Sequence, residues 1–408
     1  MSEGTYIVGA SMTPFGKRLD DTVKLLTSQA VHDALQDAGI EKEAVQAAWF
    51  SNTRQPMLEG QNTIRGQIAL RAAGIEGIPI VNVENACASG STAVHQAMTA
   101  IRAGMVDVAL VVGAEKMVYK DRPEKVAAAF AGGTDIHDRD SVLDYIVSIG
   151  GEKPEPDRSM FMDLYAAQAR VHMDRFGTTQ EDFARIASNT HCHGQHNPKA
   201  QYRTPFTVEA VLADKSIVYP FTRAMCAPVS DGSSALVLCS EKALKRIGGS
   251  RAVRLRSIAL LSTITRDKFD YVNHISRRAA LAAYQDAGVD PEDVDLVEVH
   301  DATAFSTVQQ IENLGLCKQG EVGACLRNGD FKIGSRAPVN PSGGLLAKGH
   351  PVGATGIAQM FELVTQLRGE AGLRQVEGAR MSVAENGGGF LGVEEGVTTV
   401  AILEKSSH

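Results

Sequence analysis

The chain has 408 residues, of which 44% are hydrophobic and 22% charged, with 39 glycines and a formal net charge of −7 at pH 7. This composition is typical of a globular protein with two or three domain-sized cores, and it excludes a disordered or collagen-like chain. The acidic balance argues against nucleic acid as a partner, and no apolar run is long enough for a membrane helix. The opening residues lack the basic head and apolar stretch of a secretory signal, so we expect a cytoplasmic protein.

Strand-like and helix-like segments alternate along most of the chain, which predicts mixed sheets covered by helices. Residues 30–45 (AVHDALQDAGIEKEAV) and 279–294 (AALAAYQDAGVDPEDV) repeat one pattern: an amphipathic helix, a closing glycine and then a strand. This echo predicts two similar halves. The predicted strands are 47–51, 78–84, 106–113, 235–239, 296–300, 381–384 and 398–403, and the predicted helices include 89–103 and 356–368.

The alternation breaks down between residues 118 and 225, where we expect helices and loops inserted into the first half. The basic residues there make this segment the best candidate for holding a polyanion. They are Lys120, Arg122, Arg158, Lys199, Arg203, Lys215 and Arg223, with Lys116 just before them.

Cys87 lies in the turn between an apolar strand and a helix that begins near Ser89. Backbone N–H groups at a helix N-terminus stabilise a thiolate, so we expect a lowered pKa for this thiol. The same groups can stabilise an oxyanion. Cys87 is therefore a candidate nucleophile, although a buried, inert cysteine is the commoner fate of a lone thiol.

A thiol nucleophile needs a base, and two histidines have unusual settings. His300 ends an apolar strand, and His350 lies in NPSGGLLAKGHPVGATG, where five glycines and two prolines force an irregular backbone. A third glycine cluster, Gly387 to Gly389, follows the strand 381–384 and offers N–H donors for an oxyanion. A tight hairpin turn is the alternative interpretation of that cluster.

In combination these segments resemble the thiolase superfamily, nearly from end to end. The shared motifs are ACASG, the strand-end His300-Asp301, NPSGG with GHPVGATG, and the final triple glycine, in this order. The segments TRAMCAPVSDGSS (222–234) and NTHCHGQHNPKAQ (189–201) are similar to the sterol-carrier-protein type of thiolase, as is His300-Asp301 where most thiolases have Asn-Glu.

The resemblance implies an α/β fold of duplicated halves stacked in five α-β-α-β-α layers, with an inserted loop domain. It implies an N-terminal half at 1–117, completed by 226–252, a CoA-binding loop domain at 118–225 and a C-terminal half at 253–408. It also implies at least a homodimer. Within 189–201, His191, Cys192, His193 and His196 have metal-ligand spacing, but thiolases bind no metal there, so we expect none.

Residue roles follow from the resemblance as expectations. Cys87 matches the cysteine that accepts the acyl group, His350 the histidine that activates it, and His300 the asparagine that completes the first oxyanion hole. The amides of Cys87 and Gly388 would form the second hole. Coenzyme A is expected as a substrate, with no permanently bound cofactor, and its contacts are assigned to Arg223, Ser230, Gly343 and Gly344.

The sequence departs from the family where the second catalytic cysteine belongs. That position, before the triple glycine, holds Glu385 or Asn386, and the alternative cysteine position of the sterol-carrier type holds Ala302. We name Glu385 as the first candidate acid/base, with a pKa raised by burial, since Asn386 can only donate a hydrogen bond.

The resemblance therefore predicts a CoA-dependent acyltransferase that cleaves or forms a 3-oxoacyl-CoA, on a substrate that is bulky, aromatic or branched. The alternatives are a non-catalytic acyl-CoA-binding subunit and a related CoA-ester carbon–carbon lyase or synthase. Some relatives work with a small zinc-ribbon and oligosaccharide-binding-fold partner, which is a further expectation here.

Overall fold

A computed structural model describes residues 4–154 and 159–406, so the predicted polyanion contact Arg158 lies outside the described residues. In this part of the chain no helix combines the length and apolar character needed to cross a membrane. The strands are β1 (Thr5–Met12), β2 (Ala47–Ser51), β3 (Ile80–Val83), β4 (Val108–Glu115), β5 (Ser216–Val218), β6 (Phe221–Thr222), β7 (Gly232–Ser240), β8 (Val253–Ser262), β9 (Leu296–Glu298), β10 (Met381–Gly388) and β11 (Val397–Lys405).

Helices cover both faces of the sheet and fill the segment between β4 and β5. They are α1 (Val23–Ala38), α2 (Gln55–Glu59), α3 (Arg65–Ala72), α4 (Ser89–Arg102), α5 (Pro123–Ala131), α6 (Arg139–Ser148), α7 (Met160–Phe176), α8 (Gln180–Gly194), α9 (Val208–Leu212), α10 (Glu241–Ile247), α11 (Ile275–Ala287), α12 (Ala304–Asn313), α13 (Val322–Arg327), α14 (Gly344–Lys348) and α15 (Thr355–Arg368).

Nine strands form one mixed sheet in the order β3-β2-β4-β7-β1-β8-β11-β10-β9. Its two halves repeat one pattern. In the first half, β2 and β4 are parallel neighbours, β7 pairs antiparallel with β4, and β1 pairs antiparallel with β7. In the second half, β9 and β10 are parallel neighbours, β11 pairs antiparallel with β10, and β8 pairs antiparallel with β11. The halves join edge to edge through three residue pairs between β1 and β8. The echoed helices α1 and α11 match as well, since each ends at a left-handed glycine, Gly39 and Gly288. The predicted duplication is thus present in the fold.

Apolar clusters divide the molecule into five layers. One cluster packs α1, α3 and α10 against the outer face of the first half-sheet. A second holds α4 and α15 between the two half-sheets. A third packs α11, α12 and helices of the inserted segment against the second half-sheet. Burial of these faces is the main driving force for the stacking. The arrangement confirms the predicted α-β-α-β-α architecture.

The C-terminal end of β10 differs from its prediction. The sequence places the strand at 381–384 and leaves the glycines in a loop, whereas β10 runs to Gly388 and pairs with β11 throughout, down to Gly388 opposite Val397. Pairing with β11 compensates for the weak strand propensity of Gly387 and Gly388. The strand therefore brings this glycine cluster to the N-terminal end of α4.

Candidate active site

Cys87 lies at the strained turn between β3 and α4. Ala86 has φ +48°, a left-handed conformation that non-glycine residues rarely adopt. The Ser89 hydroxyl ties the turn together, because it accepts the Asn85 N–H at 2.7 Å and donates to the Ala86 carbonyl at 2.6 Å. This local network places Cys87, which is partly exposed, directly before the first turn of α4.

Burial raises the pKa of the Cys87 thiol to about 11, although the Arg54 charge and the Gly389 amide act in the opposite direction. The expectation of a lowered pKa was therefore wrong. The sequence indicates the helix N-terminus, but it does not reveal how much apolar surface the inserted segment places over the sulfur. At neutral pH the group is a thiol, so attack by the sulfur requires a base.

His350 has the geometry of that base. Its backbone N–H donates to Ser230 Oγ at 3.1 Å, and its Nδ1 lies 2.8 Å from Thr355 Oγ1. The Thr355 hydroxyl donates to the Pro351 carbonyl at 3.1 Å, so it accepts the proton of Nδ1 and leaves Nε2 with a lone pair. Burial, with the nearby charges of His300 and Arg54, holds the His350 pKa well below its ordinary value. The imidazole is therefore neutral and able to accept a proton at pH 7.

His300 follows β9 and packs edge-to-face on His350, with 5.2 Å between ring centroids. Its backbone N–H donates to Glu385 Oε2 at 3.1 Å, and its Nε2 is buried without a hydrogen-bond partner. Burial lowers its pKa to about 4. One ring nitrogen from each histidine and the Cys87 sulfur all lie within 4.8 Å of one another. The structure therefore brings together the three residues that the sequence predicted for covalent catalysis.

Two buried carboxylates connect the strand that carries His300 to the loop that carries His350. Asp301 Oδ1 accepts the Leu345 N–H at 2.6 Å, and Glu298 accepts the Ser342 hydroxyl at 2.7 Å. Glu298 also forms a buried ion pair with Lys348 at 3.4 Å. Because these contacts bridge the two segments, the two imidazoles hold a fixed relative position.

Gly388 brings the end of β10 against the Cys87 turn. A Cβ atom on this residue would lie 2.5 Å from the Asn85 carbonyl oxygen and 3.1 Å from the Cys87 nitrogen, so only glycine fits. The next residue, Gly389, supplies the amide that faces the Cys87 sulfur. Both glycines line the cavity beside Cys87.

Glu385 and Asn386 point away from that cavity. Glu385 is buried, with its carboxylate against the His300 amide and the Ser276 hydroxyl, and burial raises its pKa well above the ordinary value. Asn386 Oδ1 accepts from Ser91 Oγ at 2.8 Å, between α4 and α15. Neither side chain lines the cavity wall.

The four residues assigned to CoA also lie outside the cavity wall. Arg223 is exposed and pairs with Asp214 at 2.8 Å, while Ser230 orients the His350 backbone. Gly343 packs on Gly194 of α8, and Gly344 lies against the Asp301 carboxylate. Their contact with CoA stays a prediction.

The cavity beside Cys87 measures about 370 Å³ and has a mainly apolar wall. The residues in its wall are Arg54, Ala86, Cys87, Val126, Phe130, Gly133, Ser159, Phe161, Met162, Tyr165, Ala227, Pro228, Val229, His300, Ala302, His350, Gly388, Gly389 and Glu395.

Two charged residues in that wall, Arg54 and Glu395, were not predicted from the sequence. Arg54 follows β2, and parallel β4 ends at the same edge of the sheet. The sequence signal that could have indicated Arg54 is its position among polar residues directly after a buried strand. Glu395 is 6% exposed, and burial together with neighbouring Glu394 raises its pKa to about 7. Its Oε2 has no hydrogen-bond partner.

Two histidines of the 189–201 segment, His191 and His193, bond to the backbone. His191 Nε2 lies 3.0 Å from the Ala224 carbonyl oxygen, and His193 bridges the Asn340 carbonyl oxygen and the Ile333 amide. Within residues 4–154 and 159–406, the His, Cys, Asp and Glu side chains close enough to share an ion are Cys87, His300 and His350.

Comparisons with known proteins agree with this geometry. Residues 5–218 match the model of the thiolase N-terminal domain, and residues 262–405 match a thiolase C-terminal domain-like model. An acetyl-CoA acetyltransferase of Methanothermobacter thermautotrophicus is 35% identical, with 94% of this chain and 96% of that protein covered. Sterol carrier protein 2 of Oryctolagus cuniculus is 34% identical, over 93% of this chain and 69% of that protein. A protein of Thauera aromatica named benzoylsuccinyl-CoA thiolase subunit BbsB is 31% identical, over 91% of each chain.

Two solved structures share the fold. An Ltp2–ChsH2(DUF35) aldolase has a TM-score of 0.79 at 23% identity, covering 99% of this chain and 98% of that one. Human mitochondrial 3-ketoacyl-CoA thiolase in complex with CoA has a TM-score of 0.73 at 19% identity, with the same coverage. At these identities the likeness establishes the architecture alone.

Proposed function

Because the chain belongs to the thiolase family of acyltransferases, near its sterol-carrier-protein type, we propose that it cleaves a 3-oxoacyl-CoA by thiolysis, or catalyses the reverse Claisen condensation. An acyl group on Cys87 is the intermediate. The observation that carries this proposal is the meeting of the Cys87 sulfur with one nitrogen each of His300 and His350, within 4.8 Å, in the wall of a cavity. A nucleophile and a neutral base so placed are what acyl transfer to sulfur requires.

In the first half-reaction, the Cys87 proton passes to His350 Nε2 while the sulfur attacks the C3 ketone. The oxyanion that forms on C3 is held by the Cys87 and Gly388 amides. Cleavage of the C2–C3 bond leaves an acyl thioester on Cys87 and places the electron pair on C2, as the enolate of the departing CoA ester. His300 Nε2, which has no protein partner, donates to the enolate oxygen. Each such donor contributes about 3–4 kcal/mol.

We place the acid that protonates C2 at Glu395 rather than at Glu385. Glu395 lines the cavity, and its Oε2 accepts no hydrogen bond, although His274 Nε2 lies 3.6 Å away. Its pKa of about 7 means that a large fraction carries a proton at neutral pH. Glu385 is occupied by the His300 amide and acts as a positioning residue for that histidine. This assignment replaces the missing second cysteine with a carboxyl group.

In the second half-reaction, the thiol of a free CoA transfers its proton to the Glu395 carboxylate and attacks the acyl thioester. The Cys87 sulfur leaves and recovers its proton from His350. The products are a shortened acyl-CoA and the CoA ester released in the first half-reaction. CoA is thus a substrate, and the chemistry needs no permanently bound cofactor.

The cavity supports a bulky or aromatic acyl group. Phe130, Phe161, Met162 and Tyr165 line it, and aromatic walls favour ring stacking over a flexible straight chain. The Thauera relative is named for an aromatic acyl-CoA, which agrees with this assignment. CoA would approach past the inserted segment along Ala227 to Val229, which line the same cavity.

We also propose a cytoplasmic homodimer. Strand β3 is an edge of the sheet, and Val81 on it is 41% exposed, which fits pairing with a second copy. The Thauera relative is named as a subunit, which supports the presence of a partner protein. The partner that we propose is a small protein with a zinc ribbon and an oligosaccharide-binding fold. Light scattering on the purified chain, and mass spectrometry of what co-purifies with it, test both points.

The deciding experiment is intact-mass measurement after mixing with a panel of 3-oxoacyl-CoA esters, with Cys87→Ser as the control. An acyl adduct on the wild type and none on the variant supports the proposal. Product formation without an adduct, at equal rates in both proteins, would point to the lyase or synthase alternative. Tight acyl-CoA binding without turnover would point to a non-catalytic subunit.

A further inference from the structure

Arg54 is a buried cation in the wall of the catalytic cavity. Its side chain is 8% exposed, its Nη1 donates to the Ala129 carbonyl, and its guanidinium lies 5.0 Å from the Phe130 ring centroid. Its Nε is buried and has no hydrogen-bond partner. Across residues 4–154 and 159–406, no carboxylate is paired with this guanidinium.

Glu115 is a buried carboxylate whose charge interacts with that of Arg54, but its oxygens already accept other hydrogen bonds. They accept the Asn52 amide, the Thr53 N–H and hydroxyl, the Arg54 backbone N–H and the Gly353 N–H, at 2.8–3.0 Å. Glu115 therefore orients the backbone of Arg54, and although its charge interacts with that of Arg54 it accepts no hydrogen bond from the guanidinium. A buried guanidinium with no hydrogen-bonded anion is costly, so the site is incomplete without one.

The position of Arg54 specifies where that anion lies. Arg54 shares the cavity wall with Cys87 and His350, and its charge acts on both of them. Apolar side chains, Val126 and Phe130 among them, form most of the remaining wall. A ligand that fills the cavity would place an apolar body against these residues and a negative group at Arg54. The planar fork of a guanidinium matches a carboxylate.

We propose that Arg54 binds a free carboxylate carried by the carbon skeleton of the substrate, so that the enzyme acts on 3-oxoacyl-CoA esters with a second, ionised carboxyl group. The inference rests on the proposed function and narrows its substrate class. It makes Arg54 a specificity-determining residue, since a neutral substrate of the same size would leave the guanidinium buried and unpaired.

The test compares two synthetic substrates on the wild-type enzyme: a 3-oxoacyl-CoA with a terminal carboxylate, and its methyl ester. We expect kcat/KM to favour the carboxylate by about 100-fold, the range of a charged hydrogen-bonded contact. In Arg54→Met the ratio of the two values should fall close to one, and Arg54→Lys should restore part of it. Melting temperatures check that the variants are folded.

Equal kcat/KM for the two substrates on the wild type would overturn the inference, and this result needs no variant. The proposed function fails separately, if neither substrate acylates Cys87. Acylation by both substrates without preference would leave the thiolase reaction in place and remove only the carboxylate site.

Discussion

Replacing Glu395 by glutamine tests the acid/base assignment with a change of one ionisable group. Glutamine keeps the size and one carbonyl oxygen but cannot carry or release a proton. Loss of general acid catalysis typically lowers a rate by ~10²–10⁴-fold, and we expect kcat for thiolysis to fall in that range. Acylation of Cys87 should persist more slowly, because His350 still accepts the thiol proton.

The pH dependence follows from the groups around this carboxyl. Burial and the charge of Glu394 raise the Glu395 pKa, Arg266 opposes them, and His274 Nε2 lies 3.6 Å from Oε2. Buried Glu385 is the other carboxyl whose charge couples to Glu395. With a pKa of about 7, Glu395 is protonated below neutrality, so thiolysis by the wild type should decline above pH 7. The variant should lack that decline.

The same shift predicts an effect on stability. The pKa rises from 4.5 to about 7 on folding, so the folded protein holds this proton more tightly than the unfolded chain does. That stabilising contribution is complete below pH 4.5 and is lost as the pH rises through 7. At ~1.4 kcal/mol per pKa unit, the difference is about 3 kcal/mol. Glu395→Gln should therefore gain about 3 kcal/mol over the wild type between pH 4.5 and pH 8.5.

Steady-state thiolysis from pH 5.5 to 9, together with urea unfolding at pH 4.5 and pH 8.5, measures these quantities. Glu385→Gln is the matched control: it also removes a buried carboxylate, but one outside the cavity wall, and it should keep the decline above pH 7. If Glu395→Gln retains both the wild-type rate and the wild-type pH profile, Glu395 is not the acid. If only Glu385→Gln abolishes the decline, the proton comes from Glu385.

Three further substitutions test the framework of the site. Thr355→Val removes the hydrogen-bond acceptor for His350 Nδ1 and should lower kcat about tenfold with KM little changed. Thr355→Ser keeps the hydroxyl and should restore kcat. Stopped-flow measurement of Cys87 acylation checks both variants. Glu298→Gln leaves Lys348 buried without its counter-ion and should cost about 3–5 kcal/mol in urea unfolding; an unchanged midpoint would contradict the role given to this pair. Gly388→Ala places a methyl group 2.5 Å from the Asn85 carbonyl and should abolish acylation of Cys87 in a folded protein; wild-type adduct formation would refute the close approach.

Local patterns in the sequence predicted the fold well. The echoed helix, glycine and strand located α1 with β2 and α11 with β9, because amphipathic periodicity and left-handed caps depend on neighbouring residues alone. The extent of β10 was not predictable in this way. Its glycines become strand because β11, which begins at Val397 after a connecting loop, supplies the pairing partner.

The site was predicted where chemistry and motif coincide and missed where it depends on long-range packing. Cys87, His300 and His350 lie in distinctive turns, so the sequence marked them as candidates, and the resemblance to thiolases supplied their expected roles. Arg54 and Glu395 are ordinary charged residues in sequence, and they become notable only when the inserted segment covers them. The same covering explains the sign of the Cys87 pKa shift, since desolvation is a property of the whole fold.

The position of β1 between β7 and β8 has a consequence for how the chain reaches its native state. Thr5 is paired with Ser240 on one side and Leu255 on the other, so both neighbours of the first strand are synthesised more than 200 residues after it. Residues 5–12 are all buried in the folded protein, so on the nascent chain they form an unpaired, exposed strand segment until β7 and β8 are synthesised. Closing such long loops is slow, and unpaired apolar strands aggregate. A chain that is released or unfolded before β1 pairs with β7 and β8 should therefore aggregate through residues 5–12.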